Sequence, residues 1–361
     1  MKVIDLFAGV GGFSQGFIKA GFNVVLAIEH DKEIASSYKK NHPNTEVIAD
    51  DIQDIKIDLL KPYFNDIDVI IGGPPCQGFS QKGKRLSVLD DRNFLFKYFI
   101  DIVKIAQPRF FILENVANIV TTENGYFKNE IIQAFNDLGY DVDAQVLNSS
   151  NFGVPQIRRR AIFLGQRKKL EVSIPLTNHK KTSIKEAIYD LPFISSGQGQ
   201  NFYDYELKPQ SDYQALMRDK SEGIYNHQST KHSTLALKRL ALIPKGKGKE
   251  VLPKEHLTKS IYSGTWCRLL EDGLATTITT RFDTPSSGRF THPVLDRCLT
   301  VREAARIQSF SDSFIFTGTK SSQMKQVGNA VPPLMAFEIA NTLAKYLNEN
   351  ESITKSNKIT A

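Results

Sequence analysis

Cys76 stands in the run Gly73-Pro74-Pro75-Cys76-Gln77-Gly78-Phe79-Ser80, directly after a largely apolar stretch, residues 68–72. Two prolines stiffen the approach and glycines flank the thiol. If residues 68–72 form a strand, Cys76 lies at the carboxyl edge of a sheet, where open α/β folds place their ligands. A lone cysteine is more often a small buried residue at a tight turn, but Pro-Pro before it and Gln-Gly after it favour a held, exposed thiol suited to covalent catalysis. Glu114 follows the wholly apolar run Phe110-Phe111-Ile112-Leu113, a place where desolvation opposes a charged carboxylate; it equally suits a carboxylate at the start of a helix. Gln156-Ile157-Arg158-Arg159-Arg160 precedes a further apolar run. Strand alternation would put Arg158 and Arg160 on one face, and a plain exposed basic edge is the alternative.

A second chemistry is written at the amino end. Residues 3–7 run into Ala8-Gly9-Val10-Gly11-Gly12-Phe13. Glycines there let the backbone turn sharply and approach a ligand, with helix N–H groups pointing at it. Glu29 follows Gly9 at the distance from which an acid can accept hydrogen bonds from both ribose hydroxyls, and Asp51 could receive an adenine amino group. Ser14 stands where the third glycine of the dinucleotide fingerprint would be, which disfavours a pyrophosphate ligand. An adenosine-containing cofactor is expected; these residues alone do not identify it.

These groups need a scaffold. Up to about residue 165, short apolar strands (2–7, 23–28, 68–72, 109–114, 143–147 and 160–164) alternate with helical stretches (13–20, 32–40, 94–106 and 127–138). Such alternation predicts βαβ units and a mostly parallel sheet covered on both faces. Residues 171–300 are rich in Ser, Thr, Gly, Pro, Lys and Tyr, and only 183–189 and 234–242 have helical periodicity. A helical pattern returns over 323–347, and the residues from Asn348 onward read as a disordered polar tail. The expected domains are therefore 1–175, 176–310, a returning segment 311–347, and a tail 348–361.

Of 361 residues, 41% are hydrophobic and 24% charged. No apolar run approaches the roughly 20 residues of a membrane-spanning helix, and the start does not read as a signal peptide. Three widely spaced cysteines, Cys76, Cys267 and Cys298, exclude a zinc cluster and argue against a disulfide framework, so a reducing cytoplasm is expected. Residues 1–150 carry 15 Lys and Arg against 20 Asp and Glu, whereas 151–310 carry 26 against 15. An acidic first half joined to a basic middle suggests a catalytic lobe and a polyanion-binding lobe; on charge alone, a solvated basic surface explains it equally well.

Phe7-Ala8-Gly9-Val10-Gly11-Gly12, Pro74-Pro75-Cys76-Gln77, Glu114-Asn115-Val116, Gln156-x-Arg158-x-Arg160, Arg302-Glu303-Ala304-Ala305-Arg306-Ile307-Gln308-Ser309-Phe310 and Gln326-Val327-Gly328-Asn329-Ala330-Val331-Pro332-Pro333 resemble, in order and separation, the motifs of cytosine-C5 DNA methyltransferases of the bacterial and phage type II modification class. The resemblance spans nearly the whole chain. It implies a Rossmann-like S-adenosylmethionine-dependent sheet with a smaller, loop-rich target-recognition domain. It implies Cys76 as the nucleophile on cytosine C6, Glu114 as the acid at N3 and Arg158 as the group holding O2. Phe7, Gly9, Gly11, Gly12, Glu29, Asp51, Ile52, Pro74, Leu95, Asn329 and Val331 would line the S-adenosylmethionine pocket, with S-adenosylhomocysteine as product and no metal. Asn93 stands where the family often has glycine.

The implied partner is double-stranded DNA, with the target base rotated out of the stack. Ser80, Lys82, Lys84 and Arg85 would close over it, and Gln156, Arg160, Arg268 and Arg281 would contact DNA. Lys231, Lys238, Arg239 and Lys245-Gly246-Lys247-Gly248-Lys249 suit phosphates. Stretches 260–268 and 276–282 are the candidates for groove reading. No dimerisation helix is evident, so a monomer is expected, and the sequence leaves open whether a cognate restriction endonuclease shares the target site. A related RNA methyltransferase is the nearest competitor, but the Cys-Phe-Thr signature of its tRNA members is absent, since Arg268 follows Cys267. A dehydrogenase lacks a reason for the Cys76, Glu114 and Arg158 set, and so does a non-catalytic DNA binder.

Overall fold

The computed structural model describes residues 1–75, 94–258 and 264–359. Strands of three to nine residues, most of them separated by helices, give β1 (Lys2–Leu6), α1 (Gly12–Lys19), β2 (Asn23–Ile28), α2 (Lys32–Asn41), β3 (Glu46–Ile48), α3 (Ile57–Leu60), β4 (Val69–Gly72), α4 (Phe94–Ala106), β5 (Phe110–Val116), α5 (Asn118–Thr121), α6 (Tyr126–Asn136), β6 (Tyr140–Asn148) and β7 (Arg159–Arg167). They form one seven-stranded sheet in the order β3-β2-β1-β4-β5-β7-β6. β1 to β5 pair in parallel, and β7 runs antiparallel to both β5 and β6. The central strands are buried on both faces, so they read as continuous Val, Ile and Phe runs rather than as alternation. Phe111 stacks on Phe135 at 3.9 Å between ring centroids. Its cross-strand partner is Gly165, where a Cβ would meet the Phe111 ring at 1.9 Å, so only glycine leaves the ring its place.

The loop-rich segment contributes α7 (Ile184–Ile188), β8 (Gly199–Tyr203), α8 (Asp212–Arg218), β9 (Ile224–Gln228), α9 (Thr234–Ala241), α10 (Val301–Ile307) and α11 (Lys320–Asn329), with β8 and β9 paired antiparallel. The chain then enters α12 (Pro333–Ile359). This helix packs on α1, and the approach is close because Gly16 has no side chain: a Cβ there would lie 2.4 Å from that of Ala336.

The chain divides into two compact units, one of residues 1–148, 159–177 and 333–361, the other of residues 149–158 and 178–332. Two expected boundaries shift. The return to the first unit falls at Pro333 rather than at 311, where a proline suits the first turn of a helix because its missing N–H is not needed there. The expected tail from 348 is largely helix, through Ile359; the segment is polar but has no Gly or Pro to stop propagation. Among the described residues, no helix is long and apolar enough to cross a membrane.

The second unit has few strands to satisfy its buried carbonyls, and arginines do so instead. Arg302 donates to Tyr225 O, Ser311 O and Phe314 O at 2.8, 2.8 and 2.6 Å. Arg306 pairs with Asp190 and Asp312 at 2.8 and 2.7 Å. Arg297 holds Glu303 with two bonds, 2.8 and 2.7 Å, while Glu303 also closes a capping box with Thr300. Burial alone would raise the Glu303 carboxyl, but Arg297 outweighs it and holds the group well below the usual range. A planar guanidinium with five donors is the side chain best able to serve several carbonyls at once.

Candidate active site

Because β1 to β5 are parallel, their carboxyl ends share one edge of the sheet, and the groups with chemistry collect there. After β1 the backbone turns through positive φ at Phe7 (57°), Gly9 (56°) and Gly11 (89°). Phe7 is the residue for which this is costly, and strain of this kind accumulates at ligand sites. Glu29, just past β2, ties the turn down. Its carboxylate accepts from Gly9 N and Asp31 N, each at 2.9 Å. It is 6% exposed, and burial raises its pKa against the opposing pull of those two amides. Among the described residues, a Cβ at Gly9 would meet nothing within 4 Å, so they leave space over the turn. Ile52 is buried, and Asp51 is half-buried with its carboxylate accepting from Gln53 N at 3.1 Å. Gly12 opens α1, Pro74 is buried, and Leu95 lies half-buried on α4. An acid at the end of β2, a glycine turn with space above it and an apolar floor fit an adenosine-type ligand.

Glu114 projects from β5 beside the segment that leads to Cys76. A Cβ at Gly73 would lie 3.0 Å from Glu114 Oε2, and Asn115 Nδ2 donates to Pro74 O at 3.0 Å. Arg160 Nε meets Glu114 Oε1 at 2.8 Å, the two side chains being 16% and 12% exposed. Register explains the pair: Arg160 lies opposite Val116 across the antiparallel β5–β7 ladder, so Glu114 is its diagonal neighbour on the same face.

Here the structure corrects the sequence reading. Arg158 precedes β7, so strand alternation does not extend to it. It is 1% exposed in the second unit and donates to Ile278 O and Gly328 O at 3.2 and 3.0 Å. Arg160, expected at DNA, is the arginine that partners Glu114. Gln156, also expected at DNA, is fully buried; it donates to Gln308 Oε1 at 2.7 Å and accepts from Ile278 N at 2.8 Å. With Arg158 it pins residues 275–280 in place. Arg268, likewise expected at DNA, is 5% exposed, donates to the carbonyls of Leu240, Ile243, His292 and Leu295, and pairs with Asp296. Its donors are spent inside the unit. The basic balance of residues 151–310 thus includes at least five arginines, 158, 268, 297, 302 and 306, that are buried.

Arg281 keeps a side chain 63% exposed. Lys231, Lys238, Lys245 and Lys247 are also exposed, whereas Arg239 is half-buried over Trp266. Asn329 is exposed at the end of α11, and Val331 is buried. Cys76, Ser80, Lys82, Lys84, Arg85 and Asn93 lie outside the described residues, as do 260–263 of the stretch 260–268. The sequence reading passed over a buried hydrogen-bonded set beneath the glycine turn: Ser14 Oγ donates to Asp5 Oδ2 and Tyr38 Oη donates to Ser14 Oγ, each at 2.6 Å. The available signal is Asp5, an acid between the apolar residues Val3-Ile4 and Leu6-Phe7.

A mostly parallel sheet with a glycine turn after β1, and a carboxylate–guanidinium pair beside Gly73, form a Rossmann-like α/β fold of the methyltransferase type. The profile of the C-5 cytosine-specific DNA methylases matches residues 1–345, and the chain belongs to that family. It is 38% identical to the type II methyltransferase M.DdeI of Desulfomicrobium norvegicum, over 99% of this chain and 92% of the relative. It is 37% identical to M1.HphI of Haemophilus parahaemolyticus, over 97% and 88%. The crystal structure of a DNA modification methyltransferase encoded in an Escherichia coli prophage superposes with a TM-score of 0.78 at 30% identity, covering 96% of this chain and 99% of that one. The protein is a DNA (cytosine-5-)-methyltransferase.

Proposed function

We propose that this protein methylates C5 of a cytosine within a specific double-stranded DNA sequence, using S-adenosylmethionine, through a covalent bond between Cys76 and C6. C5 of cytosine is a weak nucleophile. Addition of the Cys76 thiolate to C6, with a proton passing from Glu114 to N3, converts the ring to an enamine whose C5 is nucleophilic. Arg160, not Arg158, is assigned to O2 and to holding the Glu114 carboxyl in line, a fixed cation where charge accumulates. Once C5 carries the methyl group, a base takes the C5 proton, the C6–S bond breaks to release the thiolate, and the N3 proton returns to Glu114. S-adenosylmethionine, held by Phe7, Gly9, Gly11, Gly12, Glu29, Asp51, Ile52, Pro74 and Leu95, supplies an electrophilic methyl group when bound. Asn329 and Val331 are assigned to the same ligand on the resemblance alone. The target atom is out of reach in a stacked duplex, so the base is flipped, with Ser80, Lys82, Lys84 and Arg85 closing over it. The second unit reads the sequence. By likeness to M.DdeI and M1.HphI, the product protects DNA in a restriction–modification system, with a cognate endonuclease as functional partner and the protein acting as a monomer.

The observation that carries this reading is the 2.8 Å Glu114–Arg160 pair next to the Gly73-Pro74 approach to Cys76. The test is incubation with S-adenosylmethionine and DNA of diverse sequence containing 5-fluorocytosine. Fluorine cannot leave C5 as a proton does, so a denaturation-resistant complex is expected, dependent on cofactor and lost in Cys76→Ser. Failure to trap any DNA, with trapping on fluorinated RNA instead, would overturn the substrate assignment.

A further inference from the structure

The turn from Phe7 to Gly11 has two glycines at positive φ, and among the described residues nothing lies within 4 Å of a Cβ placed at Gly9. Flexible backbone of this composition loses much conformational freedom when fixed, so something must bracket it. Asp5, two residues before the turn, is 1% exposed on β1, and Ser14, on α1 just after it, is fully buried. The 2.6 Å Ser14–Asp5 bond closes the loop between them. Gly11, at the helix N-cap, offers no side-chain cap, and the Ser14 side-chain bond to Asp5 ties the start of α1 back to β1. Tyr38 on α2 donates its hydroxyl to Ser14 Oγ at 2.6 Å. The Tyr38 ring also forms the floor of the turn. It lies against His42 at 4.4 Å between centroids, and a Cβ at Gly11 would strike Tyr38 Cε2 at 2.7 Å and His42 Cε1 at 2.5 Å.

We propose that Asp5, Ser14 and Tyr38 are positioning residues for the methyl donor: the hydroxyl series running from Tyr38 through Ser14 to Asp5 clamps the two ends of the glycine turn while the Tyr38 ring sets its height. This rests on the assignment of S-adenosylmethionine to that turn. Ser14 thus gives a hydrogen-bonding role to the position where a dinucleotide site would have its third glycine. The hydroxyls act in series, so losing either one opens the clamp, and losing both costs no more than losing one.

The test measures the Kd of S-adenosylmethionine and S-adenosylhomocysteine by calorimetry for the full chain, Ser14→Ala, Tyr38→Phe, the double variant and Ser14→Thr. Thermal midpoints and the kcat–KM split are measured in parallel. Removing one hydrogen bond of this kind is expected to weaken binding about tenfold, raising cofactor KM with kcat at saturation held within about twofold. The double variant should match the singles, and Ser14→Thr, which keeps the hydroxyl, should bind more tightly than Ser14→Ala. Unchanged Kd in the singles, or additive losses that track the midpoints, would overturn the proposal. If Tyr38→Phe does not fold, the comparison of Ser14→Thr with Ser14→Ala decides. A wild-type protein that fails to bind either ligand would instead refute the cofactor assignment.

Discussion

Conservative lysine substitutions at the two arginines flanking Arg159 separate catalysis from architecture. Arg160 and Glu114 are mostly buried and meet at 2.8 Å. Removing one partner of a fully buried pair costs about 3–5 kcal/mol; Arg160→Lys keeps the charge and loses the fork, so the stability loss should stay near ~1 kcal/mol. Its catalytic cost is larger, because a displaced cation no longer stabilises the charge developing on the ring, an effect of roughly 100-fold to 1000-fold. Arg158→Lys is the reverse case. Arg158 serves two buried carbonyls, Ile278 O at 3.2 Å and Gly328 O at 3.0 Å, which one ammonium cannot reach together. A carbonyl left unsatisfied costs about 1–3 kcal/mol, so Arg158→Lys should lower stability by about that amount, while the folded fraction turns over far faster than Arg160→Lys. The assays are transfer of labelled methyl groups into unmodified DNA of mixed sequence, covalent trapping on 5-fluorocytosine, and urea midpoints. A well-folded Arg158→Lys protein with no chemistry, alongside an Arg160→Lys protein at wild-type rate, would refute the assignment.

Two further predictions follow from buried charges. Burial pushes the Asp5 pKa up to about 7 from 3.8 against the bonds from Ser14, with Glu29 adding to the rise. The folded state therefore holds this proton more tightly than the unfolded chain, and the Asp5 contribution to stability falls as pH rises from about 4 to about 7, then stays level. Asp5→Asn should remove that downward slope, seen by comparing urea unfolding of the two proteins across pH 4–8; identical slopes would contradict it. Glu303→Gln leaves Arg297, fully buried and bonded to Glu303 at 2.8 and 2.7 Å, without its counter-charge, so a loss of about 3–5 kcal/mol is expected. Chemical denaturation measures it, and a change under ~1 kcal/mol would show the network to be dispensable.

Much of the first unit was legible in the residues. Apolar runs alternating with amphipathic stretches gave six of its seven strands, because hydrophobic periodicity is local; β3, three residues long between polar neighbours, was too short to carry the signal. The glycine turn, Glu29 and Glu114 were legible for the same reason, since each follows directly from the end of a recognisable strand. Cys76 was singled out by its neighbours alone, and its surroundings lie outside the described residues.

The tertiary structure decided what depends on distant partners. Which arginine reaches Glu114 is set by the β5–β7 register, where Arg160 lies opposite Val116, and Arg158 is drawn instead to carbonyls 120 and 170 positions away in the chain. Sequence spacing does not encode that. Gln156 and Arg268 were read as surface groups because polar and charged side chains usually are, yet a loop-rich unit consumes them to satisfy its own buried backbone. Asp5, Ser14 and Tyr38 are separated by 9 and 24 positions, and only the stacking of α1 and α2 around β1 brings their oxygens into line. Local residue types determined which elements form and which edge carries the chemistry; long-range register and the demand for buried hydrogen-bond partners determined which side chains reach it.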